Sequence, residues 1–202
     1  MRRGLWISVC VALCALLRSL PGHAADIEKI AAGRASIEVA FSPWDDAETL
    51  LADAISGAHR QILVQAFLLT SRTIAFSLIE AKLRGVEVMV LADGRQHAET
   101  PGSLLDLLAR HGIPVWLETR YRNAHNKIVV IDADGQGEGS DGRPVVISGS
   151  YNFTWAAQHM NAENLIVIRN HPVLADRFAR NWRRHQQQAT PLQSLSQGDS
   201  EH

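Results

Sequence analysis

The sequence predicts an α/β domain in which a mixed β-sheet is sandwiched between helices. In the first half of the chain, short apolar runs alternate with amphipathic segments, the order expected of strands that are each followed by a helix. In the second half, two apolar runs are joined by a Gly- and Asp-rich stretch that leaves no room for a helix. Such a pair is antiparallel, which makes the predicted sheet mixed.

The N-terminus has the order of residues that is typical of a secretory signal peptide. Two arginines follow Met1, an apolar run extends from Gly4 to Leu17, and small residues lead up to Ala24. A membrane anchor is the alternative, but the apolar run stops at Arg18, short of the roughly 20 residues that a spanning helix needs. We therefore expect residues 1–24 to be removed and the mature protein to be secreted or periplasmic, with no membrane anchor.

Composition places the mature chain among ordinary globular domains. Apolar residues make up 46% and charged residues 20% of the sequence. We expect residues 25–187 to form one catalytic domain and residues 188–202 to form a polar, flexible tail. Cys10 and Cys14 leave with the signal peptide, which excludes disulfides, a cysteine nucleophile and zinc–thiolate sites in the mature protein. The 20 basic and 21 acidic residues nearly balance, so any contact with nucleic acid must be local.

The first half of the chain alternates strands with helices. Ile37 to Phe41 alternates like a half-buried strand, and Asp45 or Asp46 can cap the helix that follows it, which runs to about Ser56. The remaining predicted elements of this half are a polar helix at Asp26–Ala32, a buried strand at Ile62–Leu69, a helix from Ser71 or Thr73 to about Gly85, a strand at Val86–Leu91, a helix at Gly102–His111 and a strand at Ile113–Leu117.

The second half begins with the predicted antiparallel pair, Lys127–Asp132 and Val145–Ser148. The connection, residues 133–142, has the Asp and Gly spacing of a calcium loop, but the required glutamate and flanking helices are missing, which favours a flexible hairpin tip. A strand at Leu165–Ile168 and an amphipathic helix from Pro172 to about Gln187 complete the domain.

Chemistry concentrates in the segment that begins with His125-Asn126-Lys127 and ends with Asp132. On a strand, positions 125 and 127 project from the same face, so an imidazole and an ammonium converge on one point. The ammonium can neutralise phosphoryl oxygens and the imidazole can attack phosphorus. Asp132 has the opposite parity and is predicted to point away as a structural anchor.

Three further side chains are predicted to join the pair. Ser150 and Asn152 alternate at the end of the next strand and can donate hydrogen bonds to the same phosphate. Glu163 offers a carboxylate that can accept Nδ1–H of His125 and so fix its tautomer. A His-x-Lys by itself does not indicate a site, because a histidine in such a pair usually has a structural role. The complete combination of motif residues is specific enough to indicate chemistry.

H-x-K-x-x-x-x-D followed by G-S-x-N resembles the signature of the phospholipase D superfamily, and one copy in a short chain resembles its single-motif bacterial endonucleases. The stretch from Ser148 to Ile168 carries the closest similarity. The resemblance implies His125 as the nucleophile, Lys127 and Asn152 as phosphate ligands, Ser150 as an active-site hydroxyl and Glu163 as the partner of the histidine. It implies no cofactor and no metal.

The resemblance predicts a metal-independent phosphodiesterase, a non-specific endonuclease that cleaves DNA or RNA through a phosphohistidine. A second histidine must protonate the leaving alkoxide, and the chain has a single His-x-Lys, so we expect a homodimer with its active site at the two-fold interface.

Arg120 and Arg122 are candidate substrate-binding residues. The candidates for base stacking are Trp44, Trp116, Tyr121 and Trp155, with a core position as the alternative for Trp116 and Trp155.

Two other functions use the same residues. A phospholipase D that converts phosphatidylcholine to phosphatidic acid needs the same catalytic groups, together with an exposed apolar approach surface. A non-catalytic binding protein on this scaffold is disfavoured because every chemical position is filled.

Overall fold

A computed structural model describes residues 30–133 and 143–192 of the chain. These residues form one eight-stranded sheet with helices on both faces. The strands are β1 (Ser36–Ser42), β2 (Gln61–Ala66), β3 (Glu87–Asp93), β4 (Val115–Glu118), β5 (Lys127–Ile131), β6 (Val145–Gly149), β7 (Glu163–Arg169) and β8 (Thr190–Pro191). The helices are α1 (Ala47–Ser56), α2 (Arg72–Leu83), α3 (Gly94–Glu99), α4 (Leu105–Arg110), α5 (Trp155–His159) and α6 (Pro172–Gln186).

The strand order is β1-β7-β6-β5-β2-β3-β4-β8. Strands β2, β3 and β4 are parallel to one another, and every other neighbouring pair is antiparallel. The predicted mixed sheet is confirmed, as is the antiparallel pairing of β5 with β6.

Two apolar layers enclose the sheet. One layer packs buried side chains of α1, α2 and α4, among them Leu51, Leu78 and Leu108, against one sheet face. The other layer is built mainly by α6, where the buried Trp182 also donates from Nε1 to the carbonyl of Val64 at 2.8 Å. The predicted sandwich of helices around a sheet is therefore confirmed, and burial of these apolar surfaces supplies most of the driving force for folding.

Helix starts follow the predicted capping residues. Asp46 caps α1 by accepting the backbone N–H of Thr49, and Ser71 caps α2 by accepting that of Ile74. Strand β2 stops at Ala66, three residues earlier than predicted, and the backbone beyond it keeps one bond on the β5 side before Leu68 turns to the loop at Phe153. Phe67 N–H donates to the carbonyl of Asn126 there.

Several short elements escaped the sequence analysis. The short helices α3 and α5 and the strand β8 were not predicted, and α4 is shorter than the predicted helix at Gly102–His111. Of the predicted helix at Asp26–Ala32, residues 30–32 are not helical and the rest lie outside the described residues. The signal peptide 1–24, the insertion between residues 134 and 142, and residues 193–202 also lie outside them.

Strand β1 turns its larger side chains outward. Ile37, Val39 and Phe41 are exposed, whereas Ala40 and Ser42 face the core. The outward side chains stay open because the α6 layer gathers residues of β2, β3, β5 and β6 and none of β1. The alternation therefore predicted a half-buried strand without showing that the bulkier face would be the exposed one.

The predicted tail begins too early. Residues 188–192 belong to the domain, because Thr190 and Pro191 pair with the edge strand β4 and the Leu192 N–H donates to the carbonyl of Val115. Pairing with an open sheet edge satisfies backbone groups that composition alone assigned to solvent. Within the described residues, no helix is long and apolar enough to cross a membrane.

Candidate active site

The predicted site residues gather at one edge of the sheet. Strand β5 starts where β6 ends, since Ile128 pairs with Ser148, and β2 ends beside them, since Ala66 pairs with Lys127. Strand β7 starts at the same edge, where Glu163 pairs with Ser42. The residues that this edge brings together are His125, Lys127, Ser150, Asn152 and Glu163.

His125 and Lys127 lie against the same aromatic ring. The centroid of the Phe67 ring is 4.4 Å from that of His125, and Lys127 Nζ lies 4.7 Å from the Phe67 centroid. The imidazole is exposed, whereas Lys127 is only 5% exposed and donates to the carbonyl of His125 at 3.0 Å. The pair thus combines a buried ammonium with an accessible imidazole.

Burial dominates the electrostatics of Lys127. It lowers the pKa of the ammonium from 10.5 to about 8, because the charged form loses hydration. The Glu163 carboxylate opposes this effect and raises the pKa. A bound phosphodiester would place a negative charge beside the ammonium and would raise the pKa of Lys127, as the Glu163 carboxylate does.

Asn164 holds the Ser150 hydroxyl in place. Ser150 Oγ accepts from the backbone N–H of Asn164 at 3.0 Å and from its side-chain amide at 3.2 Å. The hydroxyl proton is therefore left to donate to a ligand. Gly149 makes this approach possible, because a Cβ at that position would overlap the carbonyl oxygen of Asn164.

Asn152 lies in a loop that is fastened to the end of β2. The neighbouring Phe153 donates to the carbonyl of Leu68 and accepts from the N–H groups of Thr70 and Ser71. The side-chain oxygen of Asn152 is buried and has no hydrogen-bond partner among the described residues. The described residues therefore leave this oxygen unsatisfied, and a phosphate oxygen, itself an acceptor, would bind the amide through its Nδ2–H groups.

Glu163 is placed near the pair without the hydrogen bond that we expected. Within the described part of the chain no hydrogen bond joins it to His125, and its carboxylate accepts instead from Asn161 at 3.1 Å. Its interaction with Lys127 is electrostatic.

Asp132 lies at the opposite end of β5 and takes no part in this edge. Its carboxylate accepts the backbone N–H groups of His59, Arg60 and Gln61 at 2.8 to 3.0 Å. The buried carboxylate thus ties the end of β5 to the start of β2.

A buried aspartate fixes the loop that carries His125. Asp93, 2% exposed, accepts the N–H of Ala124 at 2.6 Å through one oxygen and caps α3 through the other. The same loop carries the two candidate arginines. Arg120 donates to Gln188 at 2.8 Å, whereas Arg122 is exposed on the lining of a cleft.

Sequence reasoning missed Phe67, Asp93 and Asn164. A weak signal existed for each, because Phe67 lies within the predicted strand Ile62–Leu69, Asp93 directly follows a buried apolar run, and Asn164 follows the predicted Glu163. Of the stacking candidates, Trp116 packs edge-on against Trp182 at 6.0 Å between ring centroids. The others, Trp44, Tyr121 and Trp155, are exposed.

The site carries one ammonium, one imidazole and uncommitted hydroxyl and amide groups, a set suited to a phosphoryl ligand and a nitrogen nucleophile. Among the described residues, no cluster of three or more His, Cys, Asp or Glu side chains has the arrangement needed to hold a metal ion.

The chain is similar to proteins of a known family. Residues 51–185 match the family described as cardiolipin synthase, PLD-like domain. A protein of Rickettsia bellii named phospholipase D is 36% identical over 149 residues, which are 74% of this chain and 68% of that protein. A mitochondrial cardiolipin hydrolase of Chlamydomonas reinhardtii is 29% identical over 61% of this chain and 50% of its own length.

Solved structures agree with the sequence comparisons. Nuc from Salmonella typhimurium, described as a phospholipase D family member, has a TM-score of 0.71 and 31% identity, covering 79% of this chain and 99% of that one. NucT from Helicobacter pylori, at 18% identity and a TM-score of 0.68 over 78% of this chain and 99% of that one, shares the fold. The chain belongs to the phospholipase D superfamily and is a phosphodiesterase of that superfamily.

Proposed function

We propose that this phosphodiesterase is a metal-independent, non-specific endonuclease that hydrolyses DNA and RNA through a phosphohistidine on His125. The observation that carries the proposal is that an exposed imidazole and a buried ammonium lie against the same aromatic ring, with Ser150 and Asn152 at the same edge of the sheet. Arginines and an exposed tyrosine in the loop before His125 favour a nucleic acid over other diesters.

In the first step, the Nε2 lone pair of His125 attacks phosphorus, a P–N bond forms and the P–O bond to the leaving alkoxide breaks. Lys127, Ser150 and Asn152 donate to the non-bridging oxygens and stabilise the charge that develops there. The alkoxide leaves as an alcohol after taking a proton from a second imidazolium. That imidazole then removes a proton from water, which attacks phosphorus, and the P–N bond breaks.

The second imidazolium belongs to a partner copy in this proposal. The sequence holds a single His-x-Lys, so a two-fold homodimer that brings two copies of His125 together supplies one neutral nucleophile and one protonated acid. The exposed face of β1 is a suitable surface for such a dimer. Ile37, Val39 and Phe41 point to solvent beside Ile166 of β7, and this apolar strip runs up to the edge of the sheet that carries the site.

A phospholipase D activity is the second candidate. Rickettsia relatives that are 33% to 36% identical are named phospholipase D. The exposed Trp44, Trp155 and Met160 near the site offer an apolar rim of the kind that a lipid surface contacts.

A single comparison separates the two activities. The protein without residues 1–24 is incubated in EDTA with plasmid DNA, with RNA and with phosphatidylcholine vesicles, and His125→Ala serves as the control. We expect cleavage of both nucleic acids and a bell-shaped pH profile, with no cleavage by the variant. Lipid turnover without nucleic acid cleavage would reject the endonuclease, and activity abolished by EDTA would reject the metal-independent mechanism.

Mixing experiments test the shared active site. Equal amounts of wild type and His125→Ala are allowed to exchange subunits, and the activity is compared with that of the same total amount of wild type. If each site needs both copies of His125, the mixture should retain about a quarter of that activity, whereas independent sites would retain about half. Val39→Glu should give a monomer in sedimentation equilibrium with strongly reduced activity. Phe76→Glu, at a half-exposed aromatic residue on α2, is the matched control and should remain dimeric.

We also propose that the mature protein works outside the cytoplasm. Residues 1–24 have the order of a signal peptide, and cleavage near Ala24 would release the domain to the periplasm or the medium. N-terminal sequencing of the protein recovered from each cell fraction tests this, and recovery of an intact N-terminus in the cytoplasm contradicts it.

A further inference from the structure

A cleft of about 450 Å³ lies beside the candidate active site, at the same edge of the sheet. Its lining is formed by Gly94, Arg95, Glu118, Thr119, Tyr121 and Arg122. Strands β3 and β4 end there, and neighbouring strands are about 4.8 Å apart, so the end of β4 is about 14 Å from the start of β5 at Lys127. The loop from Thr119 to Asn126 crosses this distance and delivers His125.

Tyr121 stands in this cleft with its ring supported from behind. It is 46% exposed, and its centroid lies 5.4 Å from that of His185, at an angle of 36°. His185 is itself fixed, since its Nδ1 lies 2.6 Å from Glu118 Oε1, while Glu118 Oε2 accepts from Gln65 at 2.9 Å. A half-exposed ring on a rigid support is a preformed platform for stacking.

The charge at the rim is positive. Arg95 and Arg122 are both exposed on the lining, and Arg122 makes no hydrogen bond or ion pair with the described residues. Arg95 pairs with Glu99 one helical turn away, an exposed contact that a bound anion can replace at little cost. The carboxylate of Glu118 does not compete, because it is 3% exposed and is occupied by His185 and Gln65.

We propose that this cleft is a subsite for an unpaired nucleotide close to the scissile phosphate, in which the Tyr121 ring stacks on the base and Arg95 and Arg122 hold the following phosphate. The subsite rests on the proposed endonuclease function and adds to it a preference for single strands, since only an unpaired base exposes its face to a protein ring. The lining offers no leucine, isoleucine, valine or methionine side chain against which an acyl chain would pack.

Substrates with and without a base test the subsite. Wild type, Tyr121→Ala, Tyr121→Phe and Phe76→Ala are assayed on a labelled single-stranded oligonucleotide, on its duplex and on bis(p-nitrophenyl) phosphate. Tyr121→Ala should lower kcat/KM for the single strand by about 5- to 100-fold, and this loss should exceed its loss on the small diester at least fivefold. Tyr121→Phe and Phe76→Ala should stay within about twofold of wild type, because the first keeps the ring and the second removes a remote one.

A double variant provides an independent measurement should Tyr121→Ala fold poorly. Arg95→Ala with Arg122→Ala should make the slope of log KM against log salt shallower by about 0.7, the value for one neutralised phosphate on a single strand, because both arginines hold the same phosphate.

The outcomes separate the two proposals. If wild type cleaves the oligonucleotide but Tyr121→Ala loses equally on the oligonucleotide and on the small diester, the subsite is wrong and the endonuclease stands. The same conclusion follows if wild type cleaves the oligonucleotide and the arginine double variant keeps the wild-type salt slope. Turnover of phosphatidylcholine vesicles without cleavage of any oligonucleotide overturns both.

Discussion

Replacing Lys127 by methionine should abolish activity and make the protein more stable. The pKa of this buried ammonium lies near 8, down from 10.5, and each pKa unit corresponds to 1.36 kcal/mol, so the charged form costs about 3 kcal/mol at neutral pH. Methionine has a similar length, removes the charge and gives up the hydrogen bond to the carbonyl of His125, worth about 1 kcal/mol. The expected net gain is about 2 kcal/mol, or about 4 to 8 °C in Tm.

The pH dependence gives this prediction its sharpest test. Because the folded-state pKa of Lys127 is below that of the unfolded chain, the unfolded chain binds more protons between about pH 8 and 10.5, and wild-type stability rises with pH there. The methionine variant lacks this contribution. Its advantage in urea unfolding should therefore be full at pH 7, disappear as the pH rises, and become a deficit of up to about 1 kcal/mol at pH 10.5 and above, where only the lost hydrogen bond remains.

The control is Lys82→Met, at a half-buried lysine in the last turn of α2, where removal of the charge should bring no gain in stability. A Lys127→Met protein that is less stable than wild type at pH 7, or whose difference from wild type is the same at both pH values, would show that burial does not disfavour the ammonium as argued.

Four further predictions concern the same edge of the sheet and its supports. The alkaline limb of kcat/KM should fall with an apparent pKa near 8, because Lys127 must be charged to bind the diester, and Lys127→Arg should move that limb upward. Gly149→Ala should lower kcat/KM more than tenfold and destabilise the fold by about 1 to 3 kcal/mol, since the new Cβ overlaps the Asn164 carbonyl; wild-type kinetics would contradict the close packing. Asp93→Ala should release the Ala124 N–H and lower kcat without a matching rise in KM for the small diester, while a change in KM alone would argue against a positioning role. Asp132→Asn should cost about 2 kcal/mol in urea unfolding and leave the kcat of the folded protein close to wild type; a large loss of kcat at full folding would make the carboxylate part of the chemistry.

The sequence alone predicted the parts of the site that depend on local periodicity. Alternation along a strand was enough to place His125 and Lys127 on one side, and both side chains do lie against Phe67. It could not identify Phe67 or Asp93 as supports of this pair, because their contacts join residues that are far apart in sequence and depend on which strands become neighbours.

The orientation of β1 shows a second limit. Its alternation predicted a strand with one buried face, but which face is buried depends on where α6 lies across the sheet. Strand β8 illustrates the same point, since Thr190 and Pro191 have no strand pattern of their own and pair because β4 leaves an open edge. Tertiary contacts of this kind override local propensity.

The spacing within the His125 motif has a physical reason in this fold. Strand β5 carries its chemical residues at one end and Asp132 at the other, about 20 Å away at about 3.3 Å per residue. By accepting three N–H groups from residues 59–61, Asp132 fixes the register between β5 and β2. A slip of one residue would turn Lys127 from its place beside Phe67 to the other face of the sheet. The aspartate therefore supports the fold on which the site is built by fixing this register, which explains how it can stand at the far end of the motif without touching the reacting groups. Its replacement is accordingly expected to cost stability rather than kcat.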